Sequence, residues 1–159
     1  MRIITGNLKG KKILFPMDKN TRPLRDMVKE SIFNLIENSN KFELKIDCSE
    51  ILDLFSGSGS FGFECISRGA KKVVFFENYS QTLKILKKNI LNLKLTEKCD
   101  VFEENVFNFF QYKKIIDRKF NIIFVDPPFK EKKINFLIDF IKKKKILKLS
   151  GIIVLHRHK

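Results

Sequence analysis

The sequence has no apolar run long enough to span a bilayer. Its N-terminus, MRIITGNLKGKK, lacks the apolar core and small-residue cleavage site of a secretory leader. Neither a membrane-spanning nor an exported protein is expected. Cysteine is scarce. Cys48, Cys65 and Cys99 are scattered and odd in number, which argues against a disulfide framework or a zinc site and suits a reducing cytoplasm. They read as small core hydrophobes. Histidine is scarcer still. His156 and His158 form an H-x-H that could share one strand face, but no third ligand accompanies them, so no metal is expected. Nothing in the pattern requires a Cys/His nucleophilic pair. Internal repeats and Ser/Gly-rich linkers are missing as well.

Acidic residues are in deficit: 18 against 32 basic ones, a formal net charge of +14. A lysine-rich genome would produce such an excess by itself. Whatever its origin, a surface this positive attracts polyanions through counterion release. Nucleic acid is therefore the leading macromolecular partner. An acidic membrane is a weaker one, because no basic amphipathic helix stands apart from the body. What the chain does have is bulk. Its 159 residues are 43% hydrophobic and include 17 phenylalanines, enough for one core. A monomer is the expected state.

Residues 1–48 differ from the remainder. RIITG and KKILF predict two short strands joined by NLKG, a hairpin-like signal. In LRDMVKESIFNLIEN, Leu24, Val28, Ile32, Leu35 and Ile36 fall near helical spacing, with Arg25 and Lys29 on the polar side and Arg22 just ahead. From Ser49 to Lys159 strands alternate with helices. EILDLF, KKVVFFE, CDVFEE, FNIIFVD and GIIVLH read as strands; SGSFGFECISRG, SQTLKILKKNILNL, VFNFFQYKKI and KINFLIDFIKKKK read as helical. This alternation predicts an α/β, doubly wound, mostly parallel sheet carrying a small hairpin-plus-helix extension. Ligands then bind beyond the carboxyl ends of the strands.

The first strand runs into D-L-F-S-G-S-G-S-F-G, in which Gly57, Gly59 and Gly62 spell G-x-G-x-x-G. Glycines permit a tight turn and close approach of a ligand. Glu77 ends the second strand, placed to accept hydrogen bonds from ribose hydroxyls. A dinucleotide and S-adenosylmethionine both fit this pattern. Asp53 favours the latter: a carboxylate at the strand tip repels pyrophosphate but can meet an amino group and a sulfonium. After the third strand comes Glu103-Glu104-Asn105, where a polar side chain and the Val106 N–H could read an adenine edge.

The fourth strand ends in FVDPPF. Two consecutive prolines cannot continue a ladder, so the strand stops at Asp126 and the following carbonyls are held stiffly. The Asp126 carboxylate and Pro127 carbonyl form an acceptor pair suited to the two N–H groups of an exocyclic amine, and Phe129 can stack on a base.

These segments together resemble the bacterial 16S ribosomal RNA guanine-N2 methyltransferases, nearly end to end. RIITGNLKGKKI is similar to that family's hairpin and TRPLRDMVKESIFNLI to its N-terminal helix. LDLFSGSGSFGFECISRGA is similar to its donor loop and FVDPPF to its transfer signature. The resemblance implies a Rossmann-like, S-adenosylmethionine-dependent enzyme that methylates rRNA, either naked or in a small-subunit assembly particle, in the cytoplasm. It implies a 1–48 RNA-contacting extension and a 49–159 methyltransferase domain. Asp53, Phe55, Gly57 and Gly59 would shape the donor pocket. Glu77 would bind the ribose, and Asn78, Asn105 and Val106 would lie by the adenine. Asp126, Pro127, Pro128 and Phe129 would form the transfer site. Lys9, Lys11, Lys12, Arg22, Arg25 and Lys29 would meet RNA phosphates, around a target base extruded from its stack. The family continues with two further strands, so the resemblance also implies a sheet short of its last strands. DNA adenine-N6 methylation, a non-catalytic RNA-binding module and a nicotinamide-dependent oxidoreductase remain competing readings.

Overall fold

The computed structural model describes residues 1–17, 24–38 and 43–157. In chain order the elements are α1 (Asp26–Asn38), β1 (Glu50–Leu54), α2 (Ser60–Ser67), β2 (Lys72–Phe76), α3 (Ser80–Asn92), β3 (Cys99–Phe102), a one-turn α4 (Lys113–Ile116), β4 (Phe120–Val125), α5 (Ile134–Lys143) and β5 (Leu147–Leu155). The five strands form one sheet in the order β3-β2-β1-β4-β5, and every neighbouring pair is parallel.

Parallel strands need crossover helices, and those helices cover both faces, so the strands carry unbroken apolar runs. Alternation along each strand sorts residues between two layers. Ile51, Val73, Phe75, Ile122 and Phe124 face one core, under α1, α2 and α3. Leu52, Leu54, Val74, Phe76, Ile123 and Val125 face the other, under α4 and α5. Phe61 of α2 ties helix to sheet: its ring stacks on Phe124 at 3.9 Å and on Phe33 of α1 at 5.1 Å. Gly62 makes this approach possible. A Cβ there would stand 2.4 Å from the Phe75 ring.

The N-terminal extension is a narrow hairpin with one antiparallel bridge, Arg2 to Lys12. Four side chains dock it on the helical layer, one of them Lys29 through the Arg2 carbonyl. Glu64 accepts the Ile4 and Thr5 N–H groups at 2.8 and 2.9 Å. Ser67 Oγ accepts the Leu8 N–H and donates to the Thr5 carbonyl. Asn89 exchanges bonds with the Leu14 backbone. Ile3 and Ile13 are buried in the same core as Phe33 and Phe63.

The structure corrects several expectations. The buried stripe of α1 is Lys29, Phe33 and Ile36, while Leu35 is 65% exposed. The helix is turned so that Phe33 reaches Phe61, which moves Leu35 to the surface and Lys29 inside. The helix expected over VFNFFQYKKI is a 3₁₀ turn, Val106–Gln111, followed by α4. The turn opens on an i→i+3 bond, the Asn108 N–H donating to the Asn105 carbonyl at 2.8 Å, and Asn105 Oδ1 caps it by accepting the Phe107 N–H at 2.9 Å. The last strand starts four residues earlier than GIIVLH, at Leu147. Of the cysteines only Cys65 lies in the core; Cys99 is half-buried and Cys48 exposed. No helix among the described residues is long and apolar enough to cross a membrane.

Candidate active site

The sheet reverses its strand order between β1 and β4, because the chain winds outward through β2 and β3 and then returns to the other side of β1. A crevice at the carboxyl ends of these two strands is where such sheets place ligands. Leu54 pairs with Val125 there, and the Asp126 N–H points at the Leu54 carbonyl, 3.4 Å away. Asp53 on β1, Glu77 just past β2 and Asp126 just past β4 converge on this end of the sheet.

Asp53 is buried, 1% exposed. Its Oδ2 accepts the Gly62 N–H at 3.2 Å. Its Oδ1 is the one buried side-chain oxygen or nitrogen among the described residues with no hydrogen-bond partner. Burial pushes the Asp53 carboxyl well above the ordinary carboxylate range. The Gly62 N–H opposes this, and the charges of Asp126 and Glu77 push it further up. An orphaned acceptor among other carboxylates is costly to maintain unless something cationic compensates it.

The loop between β1 and α2 is held in an unusual shape. Phe55 adopts φ 62° although it carries a side chain, and Gly57 and Gly59 lie at 56° and 86°. A non-glycine residue in the left-handed region costs free energy and marks a loop determined by its surroundings. Ser56 locks the turn by donating its hydroxyl to the Asp53 carbonyl at 2.6 Å and its N–H to the Phe76 carbonyl at 3.0 Å. Gly57 opens to free space beside its Cα, whereas a Cβ on Gly59 would strike Phe63 at 2.5 Å and Leu86 at 2.6 Å. The two glycines thus differ: one faces open space and the other packs against α3.

Glu77 staples this loop to α3. Its Oε2 accepts the Gly57 N–H at 2.8 Å, and its Oε1 accepts the Asn78 and Tyr79 N–H groups at 2.9 and 2.8 Å. Three of a carboxylate's roughly four acceptor positions are therefore committed to backbone. Asn78 is positioned by that bond. Asn105 is exposed with its Oδ1 engaged by Phe107, and Val106 is buried beneath it. Phe55 and Phe107 meet edge to face, 6.1 Å apart, which brings the glycine loop and the turn after β3 together.

In the D-P-P-F segment the Pro128 carbonyl accepts the Glu131 N–H at 2.9 Å, closing a turn. Phe129 is 47% exposed. Asp126 Oδ1 lies 2.8 Å from His156 Nδ1. His156 is held by its own N–H, which donates to the Val125 carbonyl at 3.0 Å. In the sequence His156 stands out only as half of a metal-like motif, whose other half, His158, lies outside the described residues. The signal that could find its role is positional: a histidine ending the strand that neighbours the D-P-P-F strand.

The expected RNA-contacting residues divide. Lys9, Lys11, Lys12 and Arg25 are exposed, and Arg22 lies outside the described residues. Lys29 is a correction. It is fully buried, donating to the Arg2 carbonyl at 2.8 Å and to Ser60 Oγ at 3.2 Å, with Glu64 Oε2 at 3.7 Å. Its ammonium serves the interior and cannot reach a phosphate. Burial lowers its pKa, against the opposing pull of Glu64 and Asp26.

The model of a family described as "Conserved hypothetical protein 95" matches residues 1–159. The ribosomal RNA small subunit methyltransferase D of Buchnera aphidicola subsp. Acyrthosiphon pisum is 34% identical over 157 residues, covering 99% of this chain and 78% of that protein. The chain belongs to the small subunit methyltransferase D family. The family's Haemophilus influenzae protein of the same name is 38% identical over 130 residues, covering 81% of this chain and 64% of its own. The solved structure of Escherichia coli yhhF matches with a TM-score of 0.80 at 28% identity, covering 100% of this chain and 81% of that one. The α/β fold expected from strand–helix alternation is thus the family's fold.

Proposed function

We propose that this chain transfers a methyl group from S-adenosylmethionine to the exocyclic N2 of a guanine in small-subunit ribosomal RNA. The observation that carries the reading is the Asp53 carboxylate: buried, with one oxygen unpartnered, beside Asp126 and Glu77 at the mouth of a glycine loop. The methionine end of S-adenosylmethionine offers an ammonium and a sulfonium, both of which suit this acidic crevice. A dinucleotide would bring pyrophosphate against the same carboxylates, an unfavourable arrangement. The names carried by relatives, ribosomal RNA small subunit methyltransferases, support rRNA as the substrate.

The residues that would hold the donor are Asp53 at its amino group, Gly57 and Phe55 along the loop, Glu77 at the ribose, and Asn78, Asn105 and Val106 around the adenine. When bound, it supplies a methyl carbon on a positively charged sulfur, taken by the amine lone pair as the carbon–sulfur bond breaks toward sulfur. The guanine amine is a weak nucleophile because its lone pair is delocalised into the ring. Asp126 and the Pro127 carbonyl accept its two N–H bonds, which favours a pyramidal nitrogen whose lone pair is localised toward the methyl group instead of delocalised into the ring. The two prolines fix those acceptors beforehand, so little reorganisation remains. Asp126 then takes the proton that nitrogen sheds. Phe129, on the exposed side of the turn, stacks on the base. Lys9, Lys11, Lys12, Arg22 and Arg25 hold the RNA backbone around an extruded base.

The test is transfer of label from methyl-labelled donor to naked 16S rRNA, small-subunit particles and duplex DNA, alongside an Asp126→Ala control. Label entering RNA, and absent with the control, supports the reading. Label entering DNA alone, or none in any acceptor, overturns it.

A further inference from the structure

We infer that His156 is a positioning residue for the amine-transfer reaction, acting through Asp126. This role rests on the methyl-transfer reading above.

Three observations lead there. His156 Nδ1 is 2.8 Å from Asp126 Oδ1, a normal hydrogen-bond distance, and both side chains are half-buried, 27% and 29% exposed. The histidine is not on a free loop. It follows directly on β5, with its N–H on the carbonyl of Val125, one residue before Asp126 itself. The next residue, Arg157, reaches the Glu131 carbonyl at 3.3 Å, and Glu131 closes the turn back on Pro128. The end of β5 therefore braces the D-P-P-F turn at both of its ends.

The chemistry defines the direction of the bond. An ionised carboxylate only accepts hydrogen bonds, so His156 must carry its proton on Nδ1 and donate it to Oδ1. That bond fixes the rotation of the Asp126 carboxyl group that faces the guanine amine. It also supplies a donor to Asp126 where the neighbouring carboxylates Asp53 and Glu77 offer only repulsion.

Steady-state kinetics of wild type, His156→Ala, His156→Leu and His156→Asn on rRNA test this, with donor binding measured by calorimetry as a check on folding. Asparagine sets an amide N–H close to the place of Nδ1–H. Alanine and leucine are expected to lower kcat by roughly 10- to 100-fold, the usual cost of a loosened reacting group. Both KM and donor affinity should move less than about threefold, and asparagine should restore kcat to within a few-fold. Independently of activity, ¹⁵N spectra of the imidazole in the otherwise wild-type chain, with His158→Gln removing the second histidine, should show the Nδ1–H tautomer and its loss in Asp126→Ala. An unchanged kcat in His156→Ala, or an Nε2–H tautomer with a bare Nδ1, overturns the role while leaving methyl transfer standing. A wild-type protein inert on rRNA overturns the methyl-transfer reading and this role with it.

Discussion

The Lys29 ammonium lies 3.7 Å from Glu64 Oε2, with both side chains wholly removed from solvent. This buried pair joins three pieces of the chain: Lys29 belongs to α1, Glu64 to α2, and the hairpin backbone at Arg2, Ile4 and Thr5 bonds to one or the other. Breaking a buried ion pair from one side strands the remaining charge. Lys29→Met should therefore destabilise the protein by about 3 kcal/mol, at the low end of that range because Arg68 still pairs with Glu64 at 3.1 Å. Denaturant unfolding measures it. A loss below about 1 kcal/mol would show that the pair does not anchor the extension.

Asp53 carries the opposite trade. Its folded-state pKa is raised, by burial first, so the protonated form is the one the donor-free fold prefers. The stability from that preference is complete below the ordinary aspartate range. It is lost as pH rises from there through the elevated folded-state value. Asp53→Asn keeps an oxygen for the Gly62 N–H and cannot ionise. It should melt at a higher temperature than wild type at neutral pH, with a flatter dependence on pH, while losing donor affinity. Thermal melts from about pH 4 to 8 with donor titrations check both halves. An asparagine variant that binds donor normally would contradict the assigned role.

Gly62 packs where no side chain fits. A Cβ placed 2.4 Å from the Phe75 ring and 2.8 Å from Val73 forces α2 away from the sheet. Gly62→Ala should cost about 1–3 kcal/mol in unfolding free energy, read from denaturant melts. Gly57, which has open space beside it, should cost less by crowding, and its alanine variant suffers from the φ of 56° instead.

The exposed lysines Lys9, Lys11 and Lys12 are expected to meet phosphates. Removing one phosphate-neutralising lysine should reduce the slope of log affinity against log salt by about 0.7 to 0.9. The triple alanine variant should therefore flatten RNA binding by about two to three units of slope. An unchanged slope would move the RNA surface elsewhere. Lys29→Met, if folded, should leave the slope as it is.

Much of this architecture is legible in the sequence. Strand–helix alternation and the glycine loop specify a parallel doubly wound sheet, because crossover connections and buried apolar strands follow from sequence periodicity alone. The convergence of Asp53, Glu77 and Asp126 also follows, since strand ends in such a sheet share one edge. Three things are not legible. Helical spacing selects Leu35 for the core of α1, but the rotation of the helix is set by Phe33 meeting Phe61, partners far apart in sequence. Lys29 reads as a surface cation, because a charged residue on a helix is usually solvated and nothing local reveals a buried carboxylate on another helix. His156 is invisible as the partner of Asp126, because their pairing depends on β5 lying beside β4, a matter of strand order.

The most direct measurement of the central claim is mass spectrometry of the nucleosides released from rRNA after incubation with isotopically labelled donor, for wild type and Asp126→Ala. The account predicts N2-methylguanosine carrying the label in the wild-type reaction and none from the variant, which should still bind donor. Label in N6-methyladenosine, or equal N2-methylguanosine from both proteins, would contradict an acceptor pair at Asp126 and Pro127 that aims a guanine amine at the methyl group.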